Sequence, residues 1–95
     1  MTYIERITEM EQRMERVDEA LRTLENALDT IIDLEDDIQK LDAYYSSEEW
    51  KSDFQADESG LLPKDLKRGV LSEDGIWNLL SRVEEVKHRM IEIKL

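Results

Sequence analysis

The chain has 95 residues, and its 24 acidic and 13 basic side chains give a formal net charge of -11. This length predicts one domain, residues 1–95, with a small core, and the negative charge argues against binding to nucleic acid or to an anionic membrane surface. Cysteine is absent, which excludes disulfides, thiolate nucleophiles and thiolate metal sites and favours a cytoplasmic location. The first residues predict no signal peptide, and no run is apolar enough to span a membrane.

Residues 3–44 have the apolar periodicity of one long helix. Steps of four and three alternate along a heptad seam typical of coiled coils, formed by Tyr3, Ile7, Met10, Met14, Val17, Leu21, Leu24, Leu28 and Ile31. Opposite charges lie four residues apart at Glu9/Arg13, Asp18/Arg22 and Asp36/Lys40, where ion pairs support a helix slightly.

The seam changes register near Glu35, where the apolar stripe moves to Leu34, Ile38, Leu41 and Tyr45. Without Gly or Pro at this point, we expect a shift of the packing face or a bend, and not a break. A helix of about 40 residues would be roughly 60 Å long, which exceeds a compact domain of this size. The later helix is too short to cover the whole seam, so we expect a homodimer.

The segment 46–75, called the corner from here on, contains all three glycines, the only proline and many acids. Ser46 with Glu49 forms a capping-box pattern for a short helix, with Ser47 as the competing cap, and Gly60 with Pro63 should end that helix. We expect a helical turn over residues 64–68, with Gly69 ending it in a left-handed conformation. Ser72 is the predicted N-cap of the last helix.

The last helix is predicted over residues 73–94, with a second four-three stripe formed by Ile76, Leu79, Val83, Val86, Met90 and Ile93. Gly75 lies in its first turn, where a better helix former would be expected. Residues 1–45 contain 13 acids and five bases, whereas residues 76–95 contain three acids and four bases. The last helix can therefore return antiparallel to the first without repulsion, which predicts an all-α helical hairpin or bundle.

The corner and the two tyrosines before it resemble a known family. The pattern of Tyr44-Tyr45, Ser47, Trp50, Asp53, Ala56-Asp57-Glu58, Gly60, Leu62-Pro63, Asp65-Leu66-Lys67 and the run from Arg68 to Asp74 is similar to that of the bacterial domain-of-unknown-function family 4298. The similarity is close over residues 41–80. It implies a small, mostly helical bacterial protein and brings no catalytic residues with it.

The candidate functional residues cluster in the corner, either as a functional site or as an ion-pair lock: Trp50, Asp53, Asp57, Glu58, Lys67, Arg68, Glu73 and Asp74. Asp53 and Asp57 share one helix face with Glu58 beside them, which makes the three weak candidates for Mg²⁺ or Ca²⁺. The structural alternative is that these acids pair with Lys67 and Arg68. One tyrosine of Tyr44-Tyr45 should lie in the core while the other offers its hydroxyl to an acid.

Trp50 and Trp77 are expected in the core. His88 is expected at the surface and, without a nucleophile beside it, indicates no catalysis.

These features favour a non-enzymatic, acidic protein-interaction module without cofactors, whose partner is another protein or a second copy. One alternative is an inhibitor or immunity-type protein that blocks a basic surface. Another is a metal-dependent enzyme in which Asp53, Asp57, Glu58, Glu73 and Asp74 converge with Arg68.

Overall fold

The structure, a computed structural model, describes residues 2–95 and is all-α. Its elements are α1 (Tyr3–Asp33), α2 (Glu35–Tyr45), α3 (Glu48–Glu58), a 3₁₀ turn (Gly69–Leu71) and α4 (Gly75–Glu92), with no strand among these residues. They group into two compact units, one ending at Glu35 and the other spanning Asp36–Leu95. Within the described residues, no helix is long and apolar enough to cross a membrane.

The first unit is essentially α1. Thr2 caps it by accepting a hydrogen bond from the Glu5 N–H at 3.2 Å, and Glu5 lies in the first turn, where the helix dipole favours an acid. No residue of α1 is buried. Its seam side chains are exposed, from 77% for Tyr3 to 41% for Leu24, apart from the half-buried Leu28.

The three predicted ion pairs form, at 3.0 Å for Glu9/Arg13, 3.1 Å for Asp18/Arg22 and 3.0 Å for Asp36/Lys40. All six side chains are well exposed, so each pair contributes only a few tenths of a kcal/mol.

The stretch 3–44 is not one uninterrupted helix, contrary to expectation. Leu34 leaves helical geometry with φ -97 and ψ 5, and its N–H is shared between the carbonyls of Thr30 and Ile31. Charge explains the position of the break: Asp33 ends α1 with no base in its last turn, where the dipole disfavours an acid. The acids of residues 35–37 instead occupy the first turn of α2, where the dipole stabilises them.

In the second unit, α3 begins at Ser47 and not at Ser46. The Ser47 hydroxyl accepts from the Trp50 N–H at 3.2 Å and donates to the Tyr44 carbonyl at 2.6 Å. This one side chain therefore provides hydrogen-bond partners for two backbone groups that the helices leave unpaired, a carbonyl at the end of α2 and an N–H at the start of α3.

Gly60 ends α3 with φ 71, as predicted. The Leu61 N–H reaches back to the Ala56 carbonyl and the Gly60 N–H to the Asp57 carbonyl, each at 3.0 Å. This pattern is a Schellman motif, in which glycine adopts the left-handed conformation at no steric cost.

Two expectations for the following loop are wrong. No helical turn forms over residues 64–68: a single turn over residues 63–66 is closed by the Leu66 N–H on the Pro63 carbonyl at 3.2 Å, and residues 67–68 are irregular. Gly69 has no positive φ; it begins the 3₁₀ turn.

Leu71 at the end of that turn and Ile76 in α4 form the buried core, at 5% and 2% exposure. Beyond them, α4 lies beside α2, and the two helices share a groove lined by Ile38, Gln39, Asp42, Leu80, Val83, Glu84 and Lys87.

The start of α4 also differs from expectation. Ser72 does not cap it, because the Ser72 hydroxyl donates to the Gly69 carbonyl at 2.7 Å; Asp74 holds the N-cap position without a side-chain hydrogen bond. A Cβ on Gly75 would collide with the Gly69 carbonyl and the Ser72 hydroxyl. Glycine therefore allows α4 to approach the 3₁₀ turn.

We expect Gly75→Ala to lower the free energy of unfolding by about 1–3 kcal/mol, because the added methyl forces a backbone carbonyl to move. Helix propensity alone would predict stabilisation. Gly69→Ala is the matched control, since a Cβ there meets no atom within 4 Å and should change stability by less than about 0.5 kcal/mol. Urea unfolding of both variants measures the difference, and equal or greater stability of Gly75→Ala would contradict the steric explanation.

Candidate functional site

The corner is built around an aromatic cluster on α3. The Trp50 ring stacks on Phe54 with centroids 5.2 Å apart and meets Tyr45 edge-on, also at 5.2 Å. Its indole N–H donates to the Val70 carbonyl at 2.9 Å. Trp50 thus satisfies its polar group while joining α2, α3 and the 3₁₀ turn.

Asp53, one turn after Trp50, binds α2. The Tyr44 hydroxyl donates to Asp53 at 2.6 Å, as expected of one of the two tyrosines, whereas Tyr45 packs edge-on against Trp50 and is half-buried, not in the core. The hydrogen bond to Asp53, followed by burial and by the charge of that carboxylate, raises the pKa of Tyr44 to about 12. The neutral phenol is favoured because only that form can donate to the carboxylate.

Asp57, one further turn along α3, binds the loop. The Arg68 guanidinium donates to Asp57 at 2.6 Å, and the side chains are 32% and 25% exposed, respectively. Arg68 also donates to the Lys64 carbonyl at 3.4 Å. The guanidinium therefore spans the loop and closes it on α3 with a charge-assisted hydrogen bond.

The structure does not gather the remaining candidates around these pairs. Within residues 2–95, no ion pair or side-chain hydrogen bond involves Glu58, Lys67 or Glu73, and the Asp74 side chain makes no capping bond. All four are exposed. Asp53 and Asp57 lie on one face of α3 as expected, but each carboxylate is engaged by a different segment.

A metal-dependent site is not assembled by this geometry. Among the described residues, no group of three or more His, Asp or Glu side chains is placed to hold a metal ion. The convergence required by the enzyme alternative would place both α3 acids and Glu58 around one point with Glu73 and Asp74. The hydroxyl of Tyr44 and the guanidinium of Arg68 instead occupy the two α3 acids.

Trp77 and Gly75 differ from what the sequence predicts. Trp77 is 56% exposed and does not lie in the core, whereas Trp50 is half-buried. Gly75 was interpreted only as a weak helix former, although a glycine at a helix start, where it costs stability, can signal a close backbone contact. His88 is exposed, as expected.

Fold and corner together define a small all-α protein with a long N-terminal helix and an ion-paired loop that joins its last two helices. The chain belongs to the domain-of-unknown-function family DUF4298, whose profile matches residues 7–93. No curated protein and no solved structure matches the chain.

We expect the stabilising contribution of Tyr44 to depend on pH in the alkaline range. A tyrosine pKa is about 10 in an unfolded chain and about 12 here. The folded state therefore retains a proton that the unfolded state releases. The contribution is complete below about pH 10 and is lost as the pH rises through about 12.

Tyr44→Phe provides the measurement. The difference in unfolding free energy between wild type and Tyr44→Phe should shrink between about pH 10 and pH 12, and the tyrosinate absorbance transition near 12 should disappear in the variant. A stability difference that stays constant over this interval would refute the hydrogen bond to Asp53.

We expect Arg68→Ala to lower the free energy of unfolding by about 1–2 kcal/mol, because Asp57 would remain partly buried without its partner. Lys67→Ala is the control: it removes the same charge from the neighbouring exposed position and should cost less than about 0.5 kcal/mol. Chemical denaturation at one fixed protein concentration compares them. If Arg68→Ala leaves the free energy of unfolding unchanged but abolishes binding to a partner, the pair serves function and not structure.

Proposed function

We infer that the protein is a non-enzymatic interaction module that binds a helix of another protein chain through α1. The observation that supports this is the exposure of the seam on a helix without a buried residue. Isolated apolar side chains are common on surfaces, but a continuous heptad row is the pattern of a helix that packs against another helix.

Helix energetics support the same conclusion. Most of the stability of helices in proteins comes from packing an amphipathic face, and α1 packs no buried residue. Its exposed ion pairs supply only a few tenths of a kcal/mol each. A partner that buries Met14, Val17 and Leu21 would supply what is missing, since burying each such side chain contributes about 1.5–3 kcal/mol.

The local shape of α1 fits a helical partner. Arg13, Met14, Val17, Asp18 and Leu21 line a shallow groove on its surface. The floor of this groove is apolar and its edges are charged, which is how a partner side chain is received in helix-in-groove recognition. The corner has a different role in this proposal. Its ion pair and hydrogen bonds are made within the chain, so it stabilises the second unit and does not bind the partner.

We expect charge placed in the seam to abolish partner binding, because a carboxylate would be desolvated in the interface. The double variant Met14→Glu with Leu21→Glu introduces two charges there. Gln12→Glu with Asn26→Glu introduces the same two charges on the opposite face of α1 and is the matched control. Affinity capture by tagged wild type, seam variant and control from the cells that make the protein measures the effect.

Wild type and control should retain the same partner through a high-salt wash, and the seam variant should lose it. Full retention by the seam variant would exclude α1 as the binding surface. A partner that is released by salt equally from all three proteins would support the alternative in which the acidic surface blocks a basic protein.

A further inference from the structure

We propose that the occupant of the α1 seam is α1 of a second copy, in a parallel, in-register, two-stranded coiled coil. This inference rests on the function proposed above and names the partner. It starts from the heptad positions of α1, which the four-three spacing assigns without a gap. Positions a are Ile7, Met14, Leu21 and Leu28, and positions d are Tyr3, Met10, Val17, Leu24 and Ile31.

The flanks of this seam differ in charge. The e positions of the three central heptads are all acidic: Glu11, Asp18 and Glu25. The g positions contain Arg6 and Arg13, followed by Ala20 and Ala27. In coiled coils the e and g side chains set which partner binds and in which direction, so this asymmetry can be tested against each orientation.

In a parallel pair of α1 helices, residues of opposite charge at the e and g positions face each other. In that arrangement each g residue faces the e residue five positions further along the other chain. Arg6 then faces Glu11 of the second copy, and Arg13 faces Asp18. Two-fold symmetry repeats both contacts on the other side of the seam, which gives four pairs of opposite charge.

An antiparallel pair of α1 helices does not place opposite charges together, because e residues then face e residues. At full overlap Glu11 would face Glu25 and Asp18 would face its own copy, and a shift by one heptad in either direction still places two acids opposite each other. Like charges in contact are destabilising. Within one helix, Arg13 pairs with Glu9 and Asp18 pairs with Arg22, and both pairs are exposed and weak. Replacing them with ion pairs between the two copies therefore costs little.

Helix α4 competes with a second α1, because its flanking positions include Lys87, which complements acids. However, Leu80, Val83 and Lys87 line the groove that α4 shares with α2, and Lys87 pairs with Glu84 at 3.1 Å. Leu80 and Val83 are half-buried there, whereas Leu79, Val86 and Met90 are 42–51% exposed. Coverage of α4 is therefore partial, and the flanking charges are what favour α1 as the partner.

The size of the interface also fits. The seam side chains other than Leu28 are 41–77% exposed, and two helices of 31 residues are each about 46 Å long. Burying eight such side chains from each copy removes on the order of 1,000 Å² or more, which is the size expected of a specific interface. The stripe is confined to positions a and d over the central heptads, which is the narrow seam of a coiled coil.

The absence of cysteine from the chain allows a direct test with Ile7→Cys, near one end of the seam. In a parallel, in-register pair the two introduced thiols face each other at a separation that a disulfide can bridge. We expect a disulfide-linked dimer in a glutathione redox buffer. Gln12→Cys, on the outer face of α1, is the control and should not cross-link above background.

A mixture of Ile7→Cys and Ile31→Cys chains distinguishes the antiparallel arrangement, in which an a position packs against a d position of the other chain and these two positions approach each other. Preferential formation of the mixed disulfide would overturn the parallel arrangement. Sedimentation equilibrium of the wild type over a range of concentrations should show a monomer–dimer equilibrium. A monomer at all concentrations, or a trimer, would overturn this inference, while binding of a different protein through the seam would leave the proposed function standing.

Charge reversal tests the flanks. Arg13→Glu or Asp18→Arg alone should weaken dimerisation about three- to tenfold, since each places like charges opposite one another twice in the dimer. The double variant Arg13→Glu with Asp18→Arg should recover most of the loss. It restores the contacts between chains but leaves the introduced acid beside Glu9 and the introduced base beside Arg22 within each helix, so recovery cannot come from α1 alone. If the double variant dimerises more weakly than either single variant, so that the two losses add, the assigned pairing of Arg13 with Asp18 is wrong.

Discussion

The hydrogen bond from the Trp50 indole to the Val70 carbonyl holds the loop after α3 against that helix, 20 residues away along the chain. The residues on either side of Val70 are held in place by the same hydrogen bond. With Val70 fixed, Leu71 is buried, the Gly69 carbonyl is free to accept from the Ser72 hydroxyl, and α4 begins against the turn at Gly75. The indole N–H requires a partner when its ring is shielded from water, so the same bond satisfies the ring and closes the loop.

A small core explains why directed polar contacts matter here. Leu71 and Ile76 are the buried apolar residues of the described chain, and burial of each contributes only about 1.5–3 kcal/mol. Folding stabilities of whole domains are about 5–15 kcal/mol, so hydrogen bonds worth about 1 kcal/mol each are a sizeable fraction. The pairs Tyr44–Asp53 and Arg68–Asp57 attach α3 to α2 on one side and to the loop on the other.

Periodicity and turn chemistry predicted most of the elements. The four-three stripes predict one helix over residues 3–44, which the structure divides into α1 and α2, and the last helix, α4, because an apolar helix face repeats regularly in sequence. The end of α3 was also predictable, since Gly60 is the residue that a left-handed cap requires. The break at Leu34 was missed because it contains neither Gly nor Pro, although the acids around it disfavour one continuous dipole.

The contacts in the corner depend on the path of the loop more than on the residue types that the sequence offers. The structural alternative drawn from the sequence pairs the α3 acids with Lys67 and Arg68, and the structure forms the Asp57–Arg68 pair. Which partner is chosen depends on the path of the loop, and local propensity does not encode that path. Gly75 and Ser72 were misinterpreted for the same reason: both serve a contact between α4 and the 3₁₀ turn, which exists only in the folded chain.

The distribution of charge assigns different roles to the acids of the two units. Asp53 and Asp57 are engaged by their own chain, through the Tyr44 hydroxyl and the Arg68 guanidinium. The acids of α1 flank an exposed apolar row, where charge contributes more to the orientation and choice of partner than to affinity. In the proposed dimer, apolar burial along the seam would supply the affinity, so a protein with a net charge of -11 would bind through an interface that high salt weakens little.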